Sequence, residues 1–319
     1  MNTETTAEST ESTAESTAGN AYVLMTAAYN EARFLPATIE SVAAQSVLPA
    51  LWIIVSDSST DETDDIAREA AARHGFIRFL RHEDRRPSPA PMGGTAWKKV
   101  TALRAGLAAF GAEAPDTPYL GNIDGDVTFA PEFYASLMAR MAKDPGLGLA
   151  GGFIYHSSEG REWPYITSAD GVGGPIQFFR RAAWDAVGGY IPWGQEDSIV
   201  QMALRMHGWK IRSFPDLRVG HHKTPKEKKK NPLRGRFHTG MMERAMRYHP
   251  VFEAAKCAAT ITRRPVVLGG AAQLAGFAWA AWKGVPSQLP DDLVTFSQTE
   301  QMAKLRRQIG LGSRRSGRA

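Results

Sequence analysis

The chain has 319 residues, 43% hydrophobic and 22% charged, an ordinary globular balance with room for one large domain or two modest ones. Its one cysteine, Cys257, excludes an intramolecular disulfide and a cysteine-rich zinc site, and points to a reducing compartment. The formal charge of +5 is unevenly spread: Glu4, Glu8, Glu11 and Glu15 make the start acidic, whereas Lys223–Arg236 and the stretch from Lys304 onward are basic. Basic charge in the C-terminal third suits an anionic membrane, a diphosphate or a nucleic acid.

Residues 1–20 repeat AEST and have nothing to bury, which predicts a disordered tail. They carry neither the positive start nor the apolar core of a signal peptide. Folded sequence begins at Tyr22. Tyr22–Ala28 reads as a buried strand entering a polar loop, Tyr29-Asn30-Glu31, and Phe34–Gln45 has helical spacing. Leu51–Val55 predicts a second strand and Asp61–His74 a second helix, with Thr60 as N-cap. The alternation continues with strand Phe76–Leu80, helix Ala96–Phe110, strand Pro118–Ile123, helix Pro131–Lys143 and strand Leu147–Ile154.

Strands alternating with helices of this length predict an α/β fold with a mostly parallel sheet covered on both faces. Ligands of such sheets bind beyond the carboxyl ends of the strands, where Asp57, Asp124 and Asp126 all fall. In Asn122-Ile123-Asp124-Gly125-Asp126, two carboxylates flank a glycine that lets the chain turn. Hard cations such as magnesium and manganese take carboxylates of this kind together with substrate phosphates.

That pair, the Tyr29-Asn30-Glu31 loop, the Asp57-Ser58-Ser59-Thr60-Asp61 loop and the later Gln195-Glu196-Asp197 occur in an order that resembles the family 2 glycosyltransferases of GT-A fold, over about Tyr22 to Lys223. The resemblance implies that Asp57 reads the nucleotide base, with Tyr29 and Glu31 beside it. It implies that Asp124 and Asp126 bind the metal, Asp124 also lying near the donor sugar or ribose. Lys98 or Lys99 would line the donor pocket, and Gly173, Gly174, Arg180 and Arg181 the acceptor side. Asp197 would be the catalytic base, with Glu196 as the second candidate. Ser56 and Ser58 depart from the more usual Asp and Gly. Of His221 and His222, the reading takes His222 as a third metal ligand, since neutral imidazole suits manganese. Trp97, Trp163 and Trp193 serve either as flat surfaces for a sugar or as core residues.

Beyond about residue 225 the character changes to a basic, helical region: the apolar run Val266–Trp282 and a charged helix from about Gln298 to Arg307. Seventeen residues lie at the lower limit for crossing a bilayer, so an interfacial helix comes first, a core helix second and a span third. The expectation is therefore a disordered tail over 1–20, a GT-A domain over 21–225 and a basic, membrane-associated region over 226–319. Functionally it is an inverting glycosyltransferase using magnesium or manganese and a UDP-linked sugar. Its acceptor would be a carbohydrate or lipid-linked hydroxyl in cell-envelope synthesis, at the cytoplasmic face of the membrane. The alternatives are a nucleotidyltransferase, which would open on a glycine-rich phosphate loop that Tyr22–Glu31 does not have, and a non-catalytic nucleotide-sugar binder. A nucleic-acid partner is not expected, because no reader motif accompanies the basic residues.

Overall fold

In the computed structural model of the chain, the described residues are 21–84, 96–113, 117–158, 160–192, 194–223, 231–259 and 268–309. The expected tail over 1–20, Trp193, residues 224–230 of the basic stretch and the two first residues of the apolar run lie outside them. The chain divides after Glu227 into two compact units.

The first unit runs β1 (Tyr22–Ala28), α1 (Leu35–Ala43), β2 (Leu51–Asp57), α2 (Thr63–Arg73), β3 (Ile77–His82), α3 (Ala96–Phe110), β4 (Tyr119–Ile123), β5 (Val127–Phe129), α4 (Phe133–Lys143), β6 (Leu147–Ser158), β7 (Arg161–Ile166), β8 (Ile176–Arg180), α5 (Arg181–Ala186), α6 (Glu196–Met206) and β9 (Lys210–His221). The sheet order is β3-β2-β1-β4-β8-β6-β9-β5, with β7 added on β6. Its first four strands are all parallel, as the strand–helix alternation predicts. Antiparallel β8 then joins β4 to β6, and β6 pairs β9 in parallel.

Side-chain alternation along the strands builds two cores. Tyr22, Leu24, Trp52 and Ile54 face α1, α2 and α4, meeting Leu35, Ile39, Ala67, Phe133 and Leu137. Val23, Met25, Ile53 and Val55 face α3, α5 and α6, meeting Val100, Leu103, Ala183 and Val200. Helices therefore cover both faces, and every strand of the parallel half can be apolar throughout. The chain leaves β1 toward β2 and β3, then returns through α3 to β4 on the other side of β1. That reversal opens a crevice beyond the carboxyl ends of β1 and β4.

The second unit is helical: α7 (Pro232–Ala245), α8 (Pro250–Ala259), α9 (Leu268–Trp282) and α10 (Asp291–Gln308). The last helix begins at Asp291, seven residues earlier than its charge pattern suggests, because Pro290 pre-sets the chain for a helical start. Asn231 caps α7, its Oδ1 accepting from the Leu233 N–H at 3.0 Å. Gln273 donates to Glu243 and Glu253, and Lys256 pairs with both carboxylates, at 2.5 and 2.7 Å, so this buried polar cluster ties three helices together. Burial pushes the Cys257 thiol up to about 12, which leaves it unreactive.

Helix α9 meets α7 through glycines. A Cβ on Gly276 would stand 2.0 Å from the Phe237 carbonyl oxygen, and one on Gly240 1.8 Å from that of Gln273. Backbone cannot step aside as a side chain can, so the helices would have to part. Gly276→Ala is expected to destabilise the second unit by about 3 kcal/mol, at the upper end for overpacking. Gly235→Ala, on the same α7 but with open space around it, should instead stabilise by about 0.5–1 kcal/mol. Thermal unfolding followed by circular dichroism distinguishes the two, and equal melting of both variants would contradict this packing. No helix among the described residues is long and apolar enough to cross a membrane. The 15 residues of α9 span about 22 Å against a hydrocarbon core of about 30 Å.

Candidate active site

The loops after β1 and β2 are laced together. Asn30 Oδ1 accepts from the Thr60 N–H at 2.8 Å, and the Asn30 N–H donates to Ser59 Oγ at 3.1 Å. The Glu31 N–H donates to Thr63 Oγ1 at 2.8 Å and the Ala32 N–H to Asp61 Oδ2 at 3.1 Å. Thr60 is thus spent on the neighbouring loop, and the N-cap position of α2 is Glu62, with no side-chain cap. Asp57 ends β2 as a buried carboxylate that accepts from Ser58 Oγ at 3.3 Å, while Tyr29 stands exposed at the rim. Ser58 has φ +61°, which explains why glycine is usual there: the left-handed region costs a side chain about 1–2 kcal/mol. Asn30 and Gln195 share this conformation, so three of the four such non-glycine residues among those described lie on the loops of one site.

Asp124 and Asp126 leave β4 and face His221 at the end of β9, their ligand atoms all within 4.8 Å of one another. His221 Nε2 lies 3.3 Å from Asp126 Oδ2. Burial raises the Asp126 pKa, but His221, Lys223 and Lys99 outweigh it and hold the carboxyl below its usual range. Glu31 closes the other side: its Oε1 accepts from Lys223 Nζ at 2.6 Å, and its second oxygen is buried without a hydrogen bond. Burial pushes Glu31 up to about 7, Lys223 opposes this, and Asp126 and Asp124 add to it. A Cβ on Gly125 would already sit 3.4 Å from Glu31 Cγ, so the glycine of the Asp-Gly-Asp turn leaves room for that side chain.

His221 has a partner of its own. Its Nδ1 lies 3.2 Å from Nδ1 of His156 on β6, which is 3% exposed and whose Nε2 is buried without a hydrogen bond. One ring must donate and the other accept. When His221 Nδ1 carries the proton, its Nε2 lone pair is free to face the aspartates. Burial, then His221, keep His156 below its usual pKa and so neutral, able to accept.

Lys99 on α3 links these carboxylates to a second group. Its Nζ donates to Asp124 Oδ1 at 2.5 Å and to the Gly174 carbonyl at 3.5 Å. Burial opposes its charge, while Asp124, Glu196 and Asp197 hold the ammonium in place and raise its pKa. Asp197 sits in the first turn of α6, where the helix N-terminus favours an anion, and its Oδ1 accepts from the Ser198 N–H at 2.8 Å. A Cβ on Gly174 would come within 3.0 Å of Asp197 Oδ2, so this glycine forms the floor on which the carboxylate rests. Burial raises the pKa of Glu196 beside it.

Several expected site residues belong elsewhere. His222 is not with the aspartates: its Nε2 lies 2.9 Å from Thr128 Oγ1 and its ring packs against Phe34. Neighbours on a strand point to opposite faces, so only one of the two histidines can look into the site, and it is His221. Arg180 sits at the far end of β8, opposite Tyr119, where Nη2 donates to the Met141 carbonyl at 2.6 Å. There it ties down the last turn of α4 rather than lining an acceptor pocket. Of the lysine pair, Lys99 is the one that reaches Asp124. Gly173 packs against Ile154 and Ile166, and Trp97 is a core residue. Lys223, His156 and Tyr165 of β7 are the site residues that sequence reasoning passes over.

Residues 24–195 match the family model described as "Glycosyl transferase family 2". The chain belongs to glycosyl transferase family 2. No curated protein sequence matches this glycosyltransferase significantly. Among solved structures, the mannosyltransferase PcManGT from Pyrobaculum calidifontis, in complex with GDP-Man and Mn2+, superposes on 91% of the chain and 82% of its own length, at 16% identity and a TM-score of 0.51. S. aureus TarS 1-349, in complex with UDP-GlcNAc, covers 82% and 72% at 14% identity and a TM-score of 0.49. The mannosyltransferase shares the fold of this chain, and the α/β sheet with helices on both faces is the GT-A arrangement. Family membership sets aside the nucleotidyltransferase alternative.

Proposed function

We propose that this glycosyltransferase is metal-dependent and inverting, and moves a sugar from a nucleotide carrier onto an acceptor hydroxyl. The observation that carries the reading is the separation of two anionic poles by Lys99. Asp124, Asp126 and His221 gather on one side, and Asp197 stands over Gly174 on the other. Two carboxylates and a neutral imidazole fit a divalent cation, and the imidazole favours manganese over magnesium. A cation held there supplies charge neutralisation for the departing diphosphate. Lys99, already shared among Asp124, Glu196 and Asp197, orients both poles. Asp197 accepts the proton of the acceptor hydroxyl as its oxygen attacks the anomeric carbon, a role worth about 10²–10⁴-fold in rate. Attack from the side opposite the leaving diphosphate inverts that carbon.

Asp57 takes the base. An ionised carboxylate only accepts hydrogen bonds, which matches the N–H that uracil offers, and Tyr29 stands at the same rim. We read the acceptor as carbohydrate or lipid-linked and the setting as envelope polysaccharide or glycolipid synthesis at the cytoplasmic face of a membrane. The support is in the second unit, where α9 leaves Leu268, Leu274 and Trp282 exposed beside Lys283, in a region whose sequence is strongly basic.

The test is calorimetry with UDP-glucose, UDP-GlcNAc and GDP-mannose, with manganese, with magnesium and with chelator, followed by turnover. Uridine donors should bind only with the cation, more tightly with manganese, and should be consumed with inversion. Metal-independent binding, or retention of configuration, would refute the proposal, and binding without turnover would favour a non-catalytic binder.

A further inference from the structure

Strand β7 is an exposed addition to β6, with residues 161–165 all open to solvent, yet it carries two large aromatic rings. Trp163 is 36% exposed and Tyr165 48%. Both rings turn to the same side: Trp163 is paired with His156, and Tyr165, from the β-bulge that interrupts the β6–β7 register, packs on the same imidazole. The other face is polar and already paired: Glu162 binds Arg218 at 2.5 Å, and the Arg218 guanidinium lies 4.1 Å over the Tyr155 ring.

The aromatic face is the face of the site. Register places Trp163 opposite His156, and His156 opposite His221. Tyr165 stacks on His156 at 4.1 Å and on His221 at 5.5 Å, nearly parallel to it at 10°, while the Trp163 ring lies 5.6 Å from His156. Four rings thus form one continuous wall that starts at a metal-facing histidine and ends in solvent. Next to Tyr165, Ile166 packs on Gly173, whose neighbour Gly174 lies under Asp197, so the wall and that carboxylate meet along one short stretch of chain. In the sheet order, β1, β4 and β8 intervene between β2, which bears Asp57, and β6, where this wall begins. The nucleotide end of the donor and the wall therefore occupy opposite ends of the crevice.

We propose that Trp163 and Tyr165 form the acceptor subsite and that the group they hold is a pyranose, lying with its C–H face on the exposed rings and a hydroxyl turned toward Asp197. The inference rests on the glycosyltransferase reading and names the acceptor class for it. Flat rings suit a sugar because they offer apolar area to one face and leave the hydroxyl edges free for polar groups. Exposed aromatic surface beside a catalytic cleft, with no protein cover among the described residues, is what such a ligand requires. A pyranose can come from a soluble glycan or from a glycolipid headgroup, and the same rings would hold either.

The experiment uses the full chain with manganese and the donor that turns over, and measures transfer to methyl glucoside, methyl mannoside, methyl galactoside and methyl N-acetylglucosaminide. Vesicles carrying glucosyl ceramide form a separate arm, and n-octanol and a Ser/Thr-containing peptide are the non-sugar acceptors. At least one glycoside or the glycolipid should accept the sugar. Trp163→Ala should then raise its KM about five- to tenfold, leaving the donor KM and UDP affinity within twofold. Tyr165→Phe should keep acceptor KM within twofold and Tyr165→Leu should raise it, because the ring is what binds. Glu162→Gln, on the other face, should leave acceptor KM unchanged. Transfer confined to soluble glycosides or to the glycolipid identifies the source of the pyranose. Transfer only to octanol or the peptide, hydrolysis of donor with every sugar refused, or a Trp163→Ala variant that loses donor affinity instead would each overturn the proposal. Failure to consume any donor would be a failure of the glycosyltransferase reading itself.

Discussion

Asp126→Ala is expected to lower sugar transfer by about 10³-fold or more and to abolish manganese-dependent binding of UDP. Neutralisation of a departing diphosphate is worth several kcal/mol, and each 1.36 kcal/mol is tenfold in rate. Asp126 is the most buried of the three candidate ligands, at 4% side-chain exposure, and it is the carboxylate that His221 touches. Removing it leaves Lys99 with Asp124 and Lys223 with Glu31, so the site loses negative charge as well as a ligand. The backbone carbonyl of Asp126 still accepts from the His222 N–H at 2.9 Å, which keeps β5 and the end of β9 together. Asp126→Asn, which retains volume, should fail in the same way, and thermal unfolding should show both variants folded. Manganese titration followed by electron paramagnetic resonance gives a readout apart from activity. Undiminished transfer in chelator, or normal ion affinity in a folded Asp126→Asn, would remove the metal from the scheme.

Much of the fold was legible because the parallel half of the sheet is written in long apolar runs. Tyr22–Ala28, Leu51–Val55 and Pro118–Ile123 are buried on both faces, and the helices between them carry regular stripes. The strands added by the structure read differently. The outer residues of β7 are all exposed, and β9 mixes lysine, arginine and proline with its buried positions. β7 is held by its hairpin pairing with β6, and β9 by strands distant in sequence, and neither leaves a periodic hydrophobic trace. The same holds for the α7–α9 crossing. A glycine within an apolar run reads as a weak helix position, although at Gly240 and Gly276 it is what allows two backbones to meet.

The carboxylates of the site were legible from position, since each follows a strand or opens a helix. Their partners were not. Lys223 reaches Glu31 across 192 positions and His156 reaches His221 across 65, distances over which sequence spacing carries no geometric information. The choice between His221 and His222 depended on strand register, which is fixed by the pairing of β9 with β5 and β6. Arg180 shows the converse error. Its neighbours Gly173 and Gly174 lie near the site, yet β8 runs five residues away from it and delivers the guanidinium to the opposite end of the sheet.

Asp197→Asn is expected to reduce kcat by about 10²–10⁴-fold while UDP affinity and donor KM change little. The substitution keeps the shape that rests on Gly174 and can keep the bond from the Ser198 N–H, whereas an amide cannot take the acceptor's proton. Gly174→Ala attacks the same group from below: its Cβ, 3.0 Å from Asp197 Oδ2, would lift the carboxylate and should cost activity without removing the base. Glu196 is the rival: burial raises its pKa, and Lys99 opposes the rise. Glu196→Gln should lower kcat less than Asp197→Asn, because it is Asp197 that rests on Gly174, whose carbonyl Lys99 also contacts. Single-turnover rates at saturating donor separate the two roles. A larger loss in Glu196→Gln than in Asp197→Asn would transfer the proton to Glu196, and the position of Asp197 over Gly174 would then be that of a helix cap that helps hold Lys99.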